Sequence, residues 1–548
     1  MIASEIKLRH WPSQHEQVDS KRYRTEGDWR DRTVVDGLNE LLRSRPEDIC
    51  ITDDRNRVSY RQLDFEARRL AAHFEQWGLC KGDVISFQLP NWYEVAVINT
   101  AAALVGAVCN PIVPIYRQQE VQYILNDAAT RVMFVPETYR KFDYAAMIKS
   151  MRSGLPSLER VITVRGGGGD LSFSELVADG TTYTGKARIN PDDPKLLMYT
   201  SGTTGRPKGV VHSSNTLDAE LGSVVNFWSL SSRDVCLMPS PVTHITGYLY
   251  GIEFPFVYGI MAVLMEQRDP VLAVEIIQEQ RATFTVGATP FLQELVDVVE
   301  NHGKALDSFR FFGCGGASVP PELVHRAFRV LPNTVVCRIY GSTEAPTVSL
   351  GVASRDAENL AADTDGRIVG HEVRILGDKG ESLPDGIEGE IATRGPEVML
   401  GYLNADDTTK AFSGDGFFHT GDIGYRTPDS HIVITGRRKD LIIRGGENLS
   451  VREIEDALFE YPGVQEVAVV PMPHERLGET ACAYVRVDPG VEIDVALAAA
   501  FLCERGLAKQ KYPERIEIVD DLPRTASGKI QKYRLRDDIK RRLMGINE

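Results

Sequence analysis

The sequence lacks the features that would direct a chain into a membrane or a secretory pathway. The most apolar stretch, residues 249–265, is interrupted by Glu253, Pro255 and two glycines, so it predicts buried strands or a helix and no membrane span. The first eleven residues carry Glu5, Lys7, Arg9 and His10 and have no apolar core, which predicts no signal peptide there.

Paired cysteines are also missing. The eight cysteines are scattered along the chain and none forms a C-x-x-C pair. Most lie in apolar surroundings, a pattern typical of buried thiols in a reducing compartment. We therefore expect no disulfide framework, no zinc site and a cytoplasmic protein.

An excess of basic residues is absent as well. The net charge is −15 over 548 residues, which disfavours nucleic acid and anionic membranes as partners. The local basic cluster at residues 529–542 contains Leu535 and Ile539, and Leu543 follows, all at a spacing of four. This spacing predicts an amphipathic terminal helix with a solvated basic face.

Alternating strand-like and helix-like segments fill residues 50 to about 350. Apolar runs such as residues 84–89, 132–135 and 335–339 alternate with helical patterns such as residues 60–78 and 91–105. This order predicts α/β architecture with largely parallel sheets.

Two changes in the pattern of predicted secondary structure divide the rest of the chain. Short, turn-rich strands between about residues 365 and 435 predict a small antiparallel β-barrel or sheet. After Gly436 a helix at residues 450–461, with a capping box from Ser450 and Glu453, begins a compact α+β domain. We place an N-terminal domain at residues 1–435, a hinge at 436–440 and a C-terminal domain at 441–548.

A segment rich in serine, threonine and glycine, residues 199–209 (Y-T-S-G-T-T-G-R-P-K-G), follows a predicted strand. Its glycines let the backbone bend and turn N–H groups toward an anion, while its hydroxyls and Lys208 add donors and positive charge. The G-K-[ST] ending of a Walker A loop is missing. The segment predicts a loop that holds a polyphosphate.

Four further segments follow in order: residues 340–345 (Y-G-S-T-E-A), 420–422 (T-G-D), 436–448 (G-R-R-K-D-L-I-I-R-G-G-E-N) and 523–529 (P-R-T-A-S-G-K). Together with the loop they resemble the motifs of the adenylate-forming superfamily, which includes acyl-CoA synthetases, adenylation domains and luciferases. The resemblance covers about residues 30–540. It implies a large N-terminal domain of two α/β sheets plus a small β-barrel, and a small mobile α+β C-terminal domain.

The resemblance implies a role for each matching residue. Glu344 would bind Mg²⁺, Tyr340 would stack on adenine, and Thr343 would contact the α-phosphate. Asp422, predicted in a turn, suits the ribose hydroxyls, with Arg437 in support. The remaining nucleotide-binding positions are Thr200, Ser201, Gly202, Thr203, Thr204, Gly205, Gly315, Gly316, Ala317 and Gly341.

Other matching positions concern the acid and the thiol. His244 would lie beside the acyl pocket with Gly315, and Lys529 would contact the carboxylate and the α-phosphate during adenylation. Lys439 would be the pivot of the C-terminal domain. Gly445 and Gly446 would line a narrow tunnel for CoA, since adjacent glycines allow close backbone approach.

The resemblance implies two half-reactions with ATP, Mg²⁺ and CoA. A carboxylate attacks the α-phosphorus of ATP, assisted by Lys208, Lys529 and Mg²⁺ on Glu344, and the acyl-AMP then reacts with a thiol. No carrier-protein segment is present, so we expect an external thiol, and CoA is the commoner one. No Asp lies near His244 to bind an amino group, which disfavours amino acids as substrates.

The sequence leaves the acid and the acceptor open. Ile245 follows His244 where the hydroxybenzoate branch has Asn, which favours a medium-chain, alicyclic or simple aromatic acid, as in cyclohexanecarboxylate-type ligases. The alternative is an aryl-acid adenylating enzyme that loads a separate carrier protein. A non-catalytic nucleotide-binding protein is disfavoured because Glu344 and Lys529 are both present. A homodimer stays open.

Overall fold

Four sheets of four or more strands organise the chain, three within residues 49–437 and one within residues 442–518. The computed structural model describes residue 11 and residues 20–200, 206–438, 440–444, 447–525 and 529–544. The two largest sheets are mostly parallel and are covered by helices, which confirms the predicted α/β architecture.

The first sheet has seven strands, and every neighbouring pair except the last is parallel. In spatial order its strands are Val335–Arg338, Phe311–Cys314, Phe284–Gly287, Val235–Met238, Met261–Leu264, Ile49–Thr52 and Arg57–Ser59. Phe311–Cys314 and Phe284–Gly287 are buried throughout, as continuous apolar runs in parallel sheets usually are.

The second sheet has eight strands, parallel except at one edge. In spatial order they are Gly401–Tyr402, Lys208–Ser213, Pro194–Thr200, Val108–Pro111, Val84–Phe87, Val132–Pro136, Arg160–Val164 and Leu171–Ser172. Pro194–Thr200 and Lys208–Ser213 form an antiparallel pair, named here the phosphate hairpin, and Gly401–Tyr402 pairs antiparallel with its outer strand. The two strands of the hairpin flank residues 201–207 in the sequence.

Helix Glu94–Val105 lies inside the core that the two large sheets share. All twelve of its residues are buried, and its side chains belong to one cluster with residues from both sheets. A helix that is apolar on every side is buried on every side. This helix therefore packs against both sheets and holds them in a fixed relative position.

The other helices of this part pack on the sheet faces or connect strands. They are Ser20–Glu26, Val34–Ser44, Tyr60–Gln76, Gln118–Asp127, Tyr144–Met151, Phe173–Ala178, Ser214–Phe227, Ile245–Gly247, Phe254–Val257, Pro270–Gln280, Thr289–His302, Pro321–Val330, Glu358–Asp363 and Ala405–Ala411. A π-helical turn, Tyr248–Glu253, joins the two short helices that precede strand Met261–Leu264. The apolar stretch at residues 249–265 is therefore a buried helix followed by a strand.

The third sheet has four antiparallel strands in chain order: Glu372–Leu376, Gly389–Arg394, Phe418–Arg426 and Ile432–Arg437. Its described pairings form an open sheet, one of the two arrangements that the strand pattern predicted, and they include no closure into the barrel that the resemblance implied. The last strand also contacts a preceding segment, because Ile432 N donates to Gly366 O at 2.9 Å.

The fourth sheet belongs to a small α+β unit, as the sequence predicted. Its strands are Glu447–Leu449, Ile442–Arg444, Gly478–Val487 and Val464–His474, with Arg515–Ile518 parallel to the third of these. Helices Val451–Phe459, Val495–Glu504 and Lys532–Leu543 pack on it. On the terminal helix Leu535 and Ile539 are buried, whereas Leu543 is 46% exposed, so the predicted apolar stripe is one turn shorter than its spacing indicated.

The predicted capping box at the start of Val451–Phe459 forms only in part. The Ser450 side chain accepts a hydrogen bond from Glu453 N at 3.4 Å, as predicted. The Glu453 carboxylate does not return to the cap, because it accepts from Lys511 Nζ at 2.7 Å. An ammonium within reach is a stronger partner than a backbone amide.

The chain passes from the third sheet to the fourth over a few residues. Strand Ile432–Arg437 ends at Arg437, and Ile442–Arg444 begins the fourth sheet. The predicted hinge at 436–440 thus overlaps the end of a strand, and Lys439 lies outside the described residues. The hinge and the domain limits stay predictions.

Candidate active site

The phosphate hairpin consists of the two strands that flank the predicted loop in the sequence. Thr200 pairs with Lys208 and Tyr199 with Gly209, so the two ends of the loop are adjacent. Ser201, Gly202, Thr203, Thr204 and Gly205 lie outside the described residues. The sequence predicted the strand before the loop but not the antiparallel strand after it.

Lys208 and Glu344 meet around one tyrosine. Lys208 Nζ lies 2.9 Å from Asp407 Oδ1 and 4.9 Å from the centre of the Tyr402 ring. The Tyr402 hydroxyl donates to Glu344 Oε1 at 2.8 Å. A cation, a carboxylate and an aromatic ring therefore lie together beside the strand that begins with Lys208.

The side chains around Tyr402 suit a Mg²⁺ ion that substrate phosphates also bind. They do not form a metal site made of protein ligands alone. Glu344 is a partly exposed carboxylate, and the described part of the chain contains no group of three His, Cys, Asp or Glu side chains that could hold a metal. Mg²⁺ is commonly bound through one or two carboxylates with substrate phosphates and water. Glu344, a single carboxylate joined through Tyr402 to Lys208 of the predicted polyphosphate loop, meets that requirement.

The turn that carries Thr343 and Glu344 is held by close backbone contacts. Ser342 N donates to Ala345 O at 2.8 Å, and a Cβ on Gly341 would lie 1.8 Å from Pro346 O. Glycine is therefore the residue that this turn accepts at position 341.

A buried histidine supports the same turn from below. His212 Nε2 lies 2.8 Å from Thr343 O, so this nitrogen carries the proton and donates. Burial lowers the pKa of His212 to about 4, which keeps the ring neutral. His212 belongs to the outer strand of the phosphate hairpin, so it ties the turn to that hairpin.

Three predicted nucleotide-binding side chains form a continuous set of contacts. The Tyr340 hydroxyl donates to Asp422 Oδ2 at 2.8 Å, and Arg437 Nε lies 2.8 Å from Asp422 Oδ1. Asp422 is 4% exposed and lies within strand Phe418–Arg426 opposite Arg437, not in the predicted turn. The left-handed Gly421, at φ +71°, bends the strand there without ending it.

Two of the predicted pocket glycines follow the end of strand Phe311–Cys314. A Cβ on Gly315 would lie 2.6 Å from Ile339 O, so the backbone of the neighbouring strand approaches closely. Gly316 is exposed with φ +81°, and Ala317 follows, partly exposed. These positions form the carboxyl end of the first sheet, where open α/β folds usually bind ligands.

His244 and Lys529 come together although 285 residues separate them. His244 is half-buried and precedes helix Ile245–Gly247. Burial, and then the nearby ammonium of Lys529, lower the pKa of His244 to about 4. Lys529 N donates to Thr525 Oγ1 at 3.1 Å at the end of its loop. Lys529 of the C-terminal unit thus lies near His244 of the N-terminal part.

A buried ion pair joins the two parts of the chain at another point. Arg452, on helix Val451–Phe459, donates to both carboxylate oxygens of Asp365, at 2.8 and 3.0 Å. Arg452 is 9% exposed and Asp365 7%. A bidentate pair of this kind defines an orientation because both partners are planar.

Sequence reasoning missed several residues of this region. Tyr402, Asp407, His212 and Arg452 belong to none of the five motifs. Tyr402 and Asp407 follow an apolar run after residue 398, but nothing in that spacing predicts their position beside Glu344. Lys439, Gly445 and Gly446, the predicted pivot and tunnel residues, lie outside the described residues.

Two chain-wide findings bear on the early expectations. All eight cysteines are free, and six of them are buried. Within the described ranges no helix is both long and apolar enough to cross a membrane.

Known proteins resemble the chain over nearly its whole length. A family profile described as AMP-binding enzyme matches residues 38–403, and one described as AMP-binding enzyme C-terminal domain matches residues 453–529. A medium-chain fatty-acid–CoA ligase of Escherichia coli is 36% identical over 95% of this chain and 93% of that protein. A 2,3-dihydroxybenzoate–AMP ligase of Bacillus subtilis is 30% identical over 97% of this chain and 98% of that protein.

The fold has a solved counterpart as well. The ATP-bound crystal structure of MatB from Rhodopseudomonas palustris is 28% identical and superimposes with a TM-score of 0.81, covering 92% of this chain and 98% of that one.

Proposed function

The chain belongs to the family of AMP-binding enzymes, and on that premise we propose that it is an ATP-dependent carboxylate–CoA ligase. It would form an acyl-AMP and then an acyl-CoA. One observation carries the proposal: Lys529 of the C-terminal unit lies close enough to His244 for its ammonium to lower the pKa of that histidine, which brings a charged group of one part of the chain to the other. Such an arrangement suits a reaction that needs positive charge around a phosphate.

The nucleotide end of the cleft would hold adenosine. Asp422 can accept from vicinal ribose hydroxyls while Arg437 Nε, 2.8 Å away, holds its other oxygen. Tyr340 donates its hydroxyl to Asp422, which fixes the ring that would stack on adenine. The hairpin tip and Lys208 would hold the β- and γ-phosphates.

In the first half-reaction a carboxylate oxygen attacks the α-phosphorus of ATP. The new O–P bond forms as the bond to the bridging oxygen breaks, and pyrophosphate leaves. Lys529 and Lys208 offset the negative charge that accumulates on the phosphate oxygens. Mg²⁺, when held by Glu344 and substrate phosphates, supplies further charge neutralisation.

In the second half-reaction the sulfur of CoA attacks the carbonyl carbon of the acyl-AMP. The C–S bond forms, the C–O bond to AMP breaks, the thiol proton passes to solvent, and AMP leaves. Lys529 has no task here, so we propose that rotation about Lys439 withdraws it and brings Gly445 and Gly446 to the cleft.

The proposal for the carboxylic acid substrate rests on His244 and the residue that follows it. Ile245 follows His244 and is buried, so this wall has no amide to bind ring hydroxyls. His244 is neutral at physiological pH because its pKa is about 4, so it adds no charge to the wall. A medium-chain, alicyclic or simple aromatic acid fits these features, and the 36% identity with a medium-chain fatty-acid–CoA ligase supports that choice.

One similarity favours a second candidate. The 2,3-dihydroxybenzoate–AMP ligase matches 97% of this chain at 30% identity. An aryl-acid adenylating enzyme that loads a separate carrier protein would use the same first half-reaction and a different thiol.

The deciding experiment measures pyrophosphate release over a panel of acids, with and without CoA. The panel contains octanoate, cyclohexanecarboxylate, benzoate, salicylate and an amino acid, and acyl-CoA is identified by mass spectrometry. Octanoate, cyclohexanecarboxylate or benzoate should release pyrophosphate and yield a CoA ester. Release with salicylate and no CoA ester would favour the second candidate, and no acid-dependent release would overturn both.

Lys529→Ala separates the two half-reactions. Because Lys529 is proposed to act only on the adenylation transition state, its loss should lower pyrophosphate release by about 100-fold or more. Conversion of preformed acyl-AMP and CoA to acyl-CoA should stay within about twofold of the wild type. Lys540→Ala, on an exposed face of the terminal helix, is the matched control. Equal losses in both half-reactions would contradict the role.

A further inference from the structure

Tyr402 lies between Lys208 and Glu344, and both of these residues have roles in the proposed function. It belongs to the two-residue strand Gly401–Tyr402, which pairs with the outer strand of the phosphate hairpin through Val210. On either side, Leu400 N donates to Val211 O at 2.8 Å and Leu403 N to Gly209 O at 2.7 Å. The backbone of Tyr402 is therefore fixed to the strand that begins with Lys208.

The same residue is also fixed to the turn that carries Glu344. Met399 N donates to Glu344 O at 2.8 Å, and the Tyr402 hydroxyl donates to Glu344 Oε1 at 2.8 Å. Tyr402 is 7% exposed, so its ring has little freedom to turn away. Backbone and side chain together join the strand and the turn.

The two ends of the tyrosine act on two different charges. The ring face lies 4.9 Å from Lys208 Nζ, within the range of a cation–π interaction. The hydroxyl occupies one oxygen of the Glu344 carboxylate and thereby restricts its rotation, which leaves the second oxygen for another partner. Asp407 Oδ1, at 2.9 Å, holds the ammonium of Lys208 from the other side.

Resting on the proposed function, we propose that Tyr402 is a positioning residue for the metal-bound triphosphate. Its hydroxyl orients the Glu344 carboxylate toward Mg²⁺. Its ring holds the Lys208 ammonium in position beside the phosphates. The residue touches neither reacting atom, so its effect passes through Glu344 and Lys208. If Tyr402 only filled the core, its substitution would change the stability of the protein. It would then affect the affinity for ATP equally with and without Mg²⁺.

Tyr402→Phe tests this role because it keeps the ring and removes only the hydroxyl. ATP binding is measured by titration calorimetry without any carboxylic acid, once with excess Mg²⁺ and once with EDTA. We expect the affinity with Mg²⁺ to fall about 10-fold, as loss of a hydrogen bond to a charged group predicts, and the affinity in EDTA to stay within about twofold. The Mg²⁺ concentration for half-maximal pyrophosphate release should rise by a similar factor.

Tyr144→Phe is the matched control, since it removes a hydroxyl that donates to Pro114 O at 2.8 Å at the start of helix Tyr144–Met151 and contacts neither Lys208 nor Glu344. It should leave both ATP affinities unchanged. Equal affinity losses with and without Mg²⁺ in Tyr402→Phe, or none in either, would overturn the role. So would a fall of the unfolding midpoint by more than about 5 °C, which would mark Tyr402 as structural. Failure of the wild type to bind ATP at all would instead refute the proposed function.

Discussion

Asp422 illustrates how one buried carboxylate depends on its neighbours. It is 4% exposed and is bonded by Tyr340 and by Arg437, so its charge is compensated before any nucleotide arrives. A buried carboxylate that keeps a free acceptor site and a fixed orientation is well suited to hydroxyl recognition. The strand pairing of Asp422 with Arg437 makes this arrangement a property of the backbone register.

Asp422→Asn should weaken ATP binding without disturbing the sheet. The amide keeps the shape but removes the charge that Arg437 and the ribose hydroxyls use, a loss of about 1.5–3 kcal/mol. We therefore expect kcat/KM for ATP to fall about 10- to 150-fold in acid-dependent ATP–pyrophosphate exchange. Asp415→Asn, in an exposed pair with Arg374, should leave it unchanged. An unaltered kcat/KM in Asp422→Asn would rule out ribose recognition.

His212 makes the stability of the site depend on pH. Its pKa falls from an ordinary 6.5 to about 4 on burial, so the unfolded chain binds a proton that the folded chain does not. The contribution is fully present above pH 6.5 and is lost as pH falls toward 4. At pH 5 the loss is about 2 kcal/mol.

His212→Gln should remove this dependence. Between pH 7.5 and pH 5 we expect the unfolding midpoint of the wild type to fall about 2 °C more than that of the variant, measured by circular dichroism. His302→Gln, at the exposed end of helix Thr289–His302, should behave like the wild type. Parallel midpoint curves for His212→Gln and the wild type would contradict a neutral buried histidine.

At the scale of elements, the site is built from ends and turns that sheets hold in place. The turn after Tyr340 and the residues after strand Phe311–Cys314 both follow the carboxyl ends of neighbouring parallel strands of the first sheet. None of these segments is itself a regular element, which is usual for binding residues on a rigid scaffold. Their geometry depends on close backbone approach, most clearly at Gly341.

Gly341→Ala should damage the turn more than its size suggests. The new methyl group would lie 1.8 Å from Pro346 O, so the turn must shift. We expect a loss of about 1–3 kcal/mol in stability. A displacement of Thr343 and Glu344 should also lower pyrophosphate release by about 100-fold. Gly414→Ala, where the added Cβ meets no atom within 4 Å, should change neither stability nor pyrophosphate release. Full activity in Gly341→Ala would show that the turn tolerates movement.

At the scale of the whole molecule, we propose that the orientation of the C-terminal unit decides whether Lys529 reaches the N-terminal part. Lys529 lies near His244 in this structure, and Arg452 binds Asp365 across the junction. Ser318 Oγ adds a contact to Asp456 Oδ1 at 3.4 Å. These contacts belong to the orientation that we assign to adenylation.

Arg452→Leu should therefore act on one half-reaction. Removing one partner of a buried pair leaves Asp365 poorly compensated, which disfavours this orientation relative to any other. We expect acid-dependent ATP–pyrophosphate exchange to fall about 10-fold or more. The rate of thioester formation from preformed acyl-AMP should stay within about twofold of the wild type. Arg505→Leu breaks an exposed pair with Glu460 inside the C-terminal unit and is the control. Equal effects on both half-reactions would argue against an orientation-specific contact.

Local pattern was enough to predict many elements of this protein. The predicted strands at residues 84–89, 132–135 and 335–339 correspond to Val84–Phe87, Val132–Pro136 and Val335–Arg338, because buried parallel strands require continuous apolar runs. Composition indicated Lys208 as part of a polyphosphate loop and Asp422 as a ribose partner, whereas the roles of Glu344 and Lys529 came from the resemblance to the adenylate-forming superfamily, and all four roles stay predictions.

Only the tertiary structure decided which of these residues meet and what supports them. Tyr402 and Asp407 join Lys208 to Glu344, and Arg452 finds Asp365 87 residues away, through contacts that no periodicity encodes. Asp422 lies in a strand because its pairing with Arg437 outweighs the turn preference of the T-G-D sequence. Sequence determined the chemistry through residue type. Tertiary packing determined the geometry, because distances between separate strands depend on the whole fold.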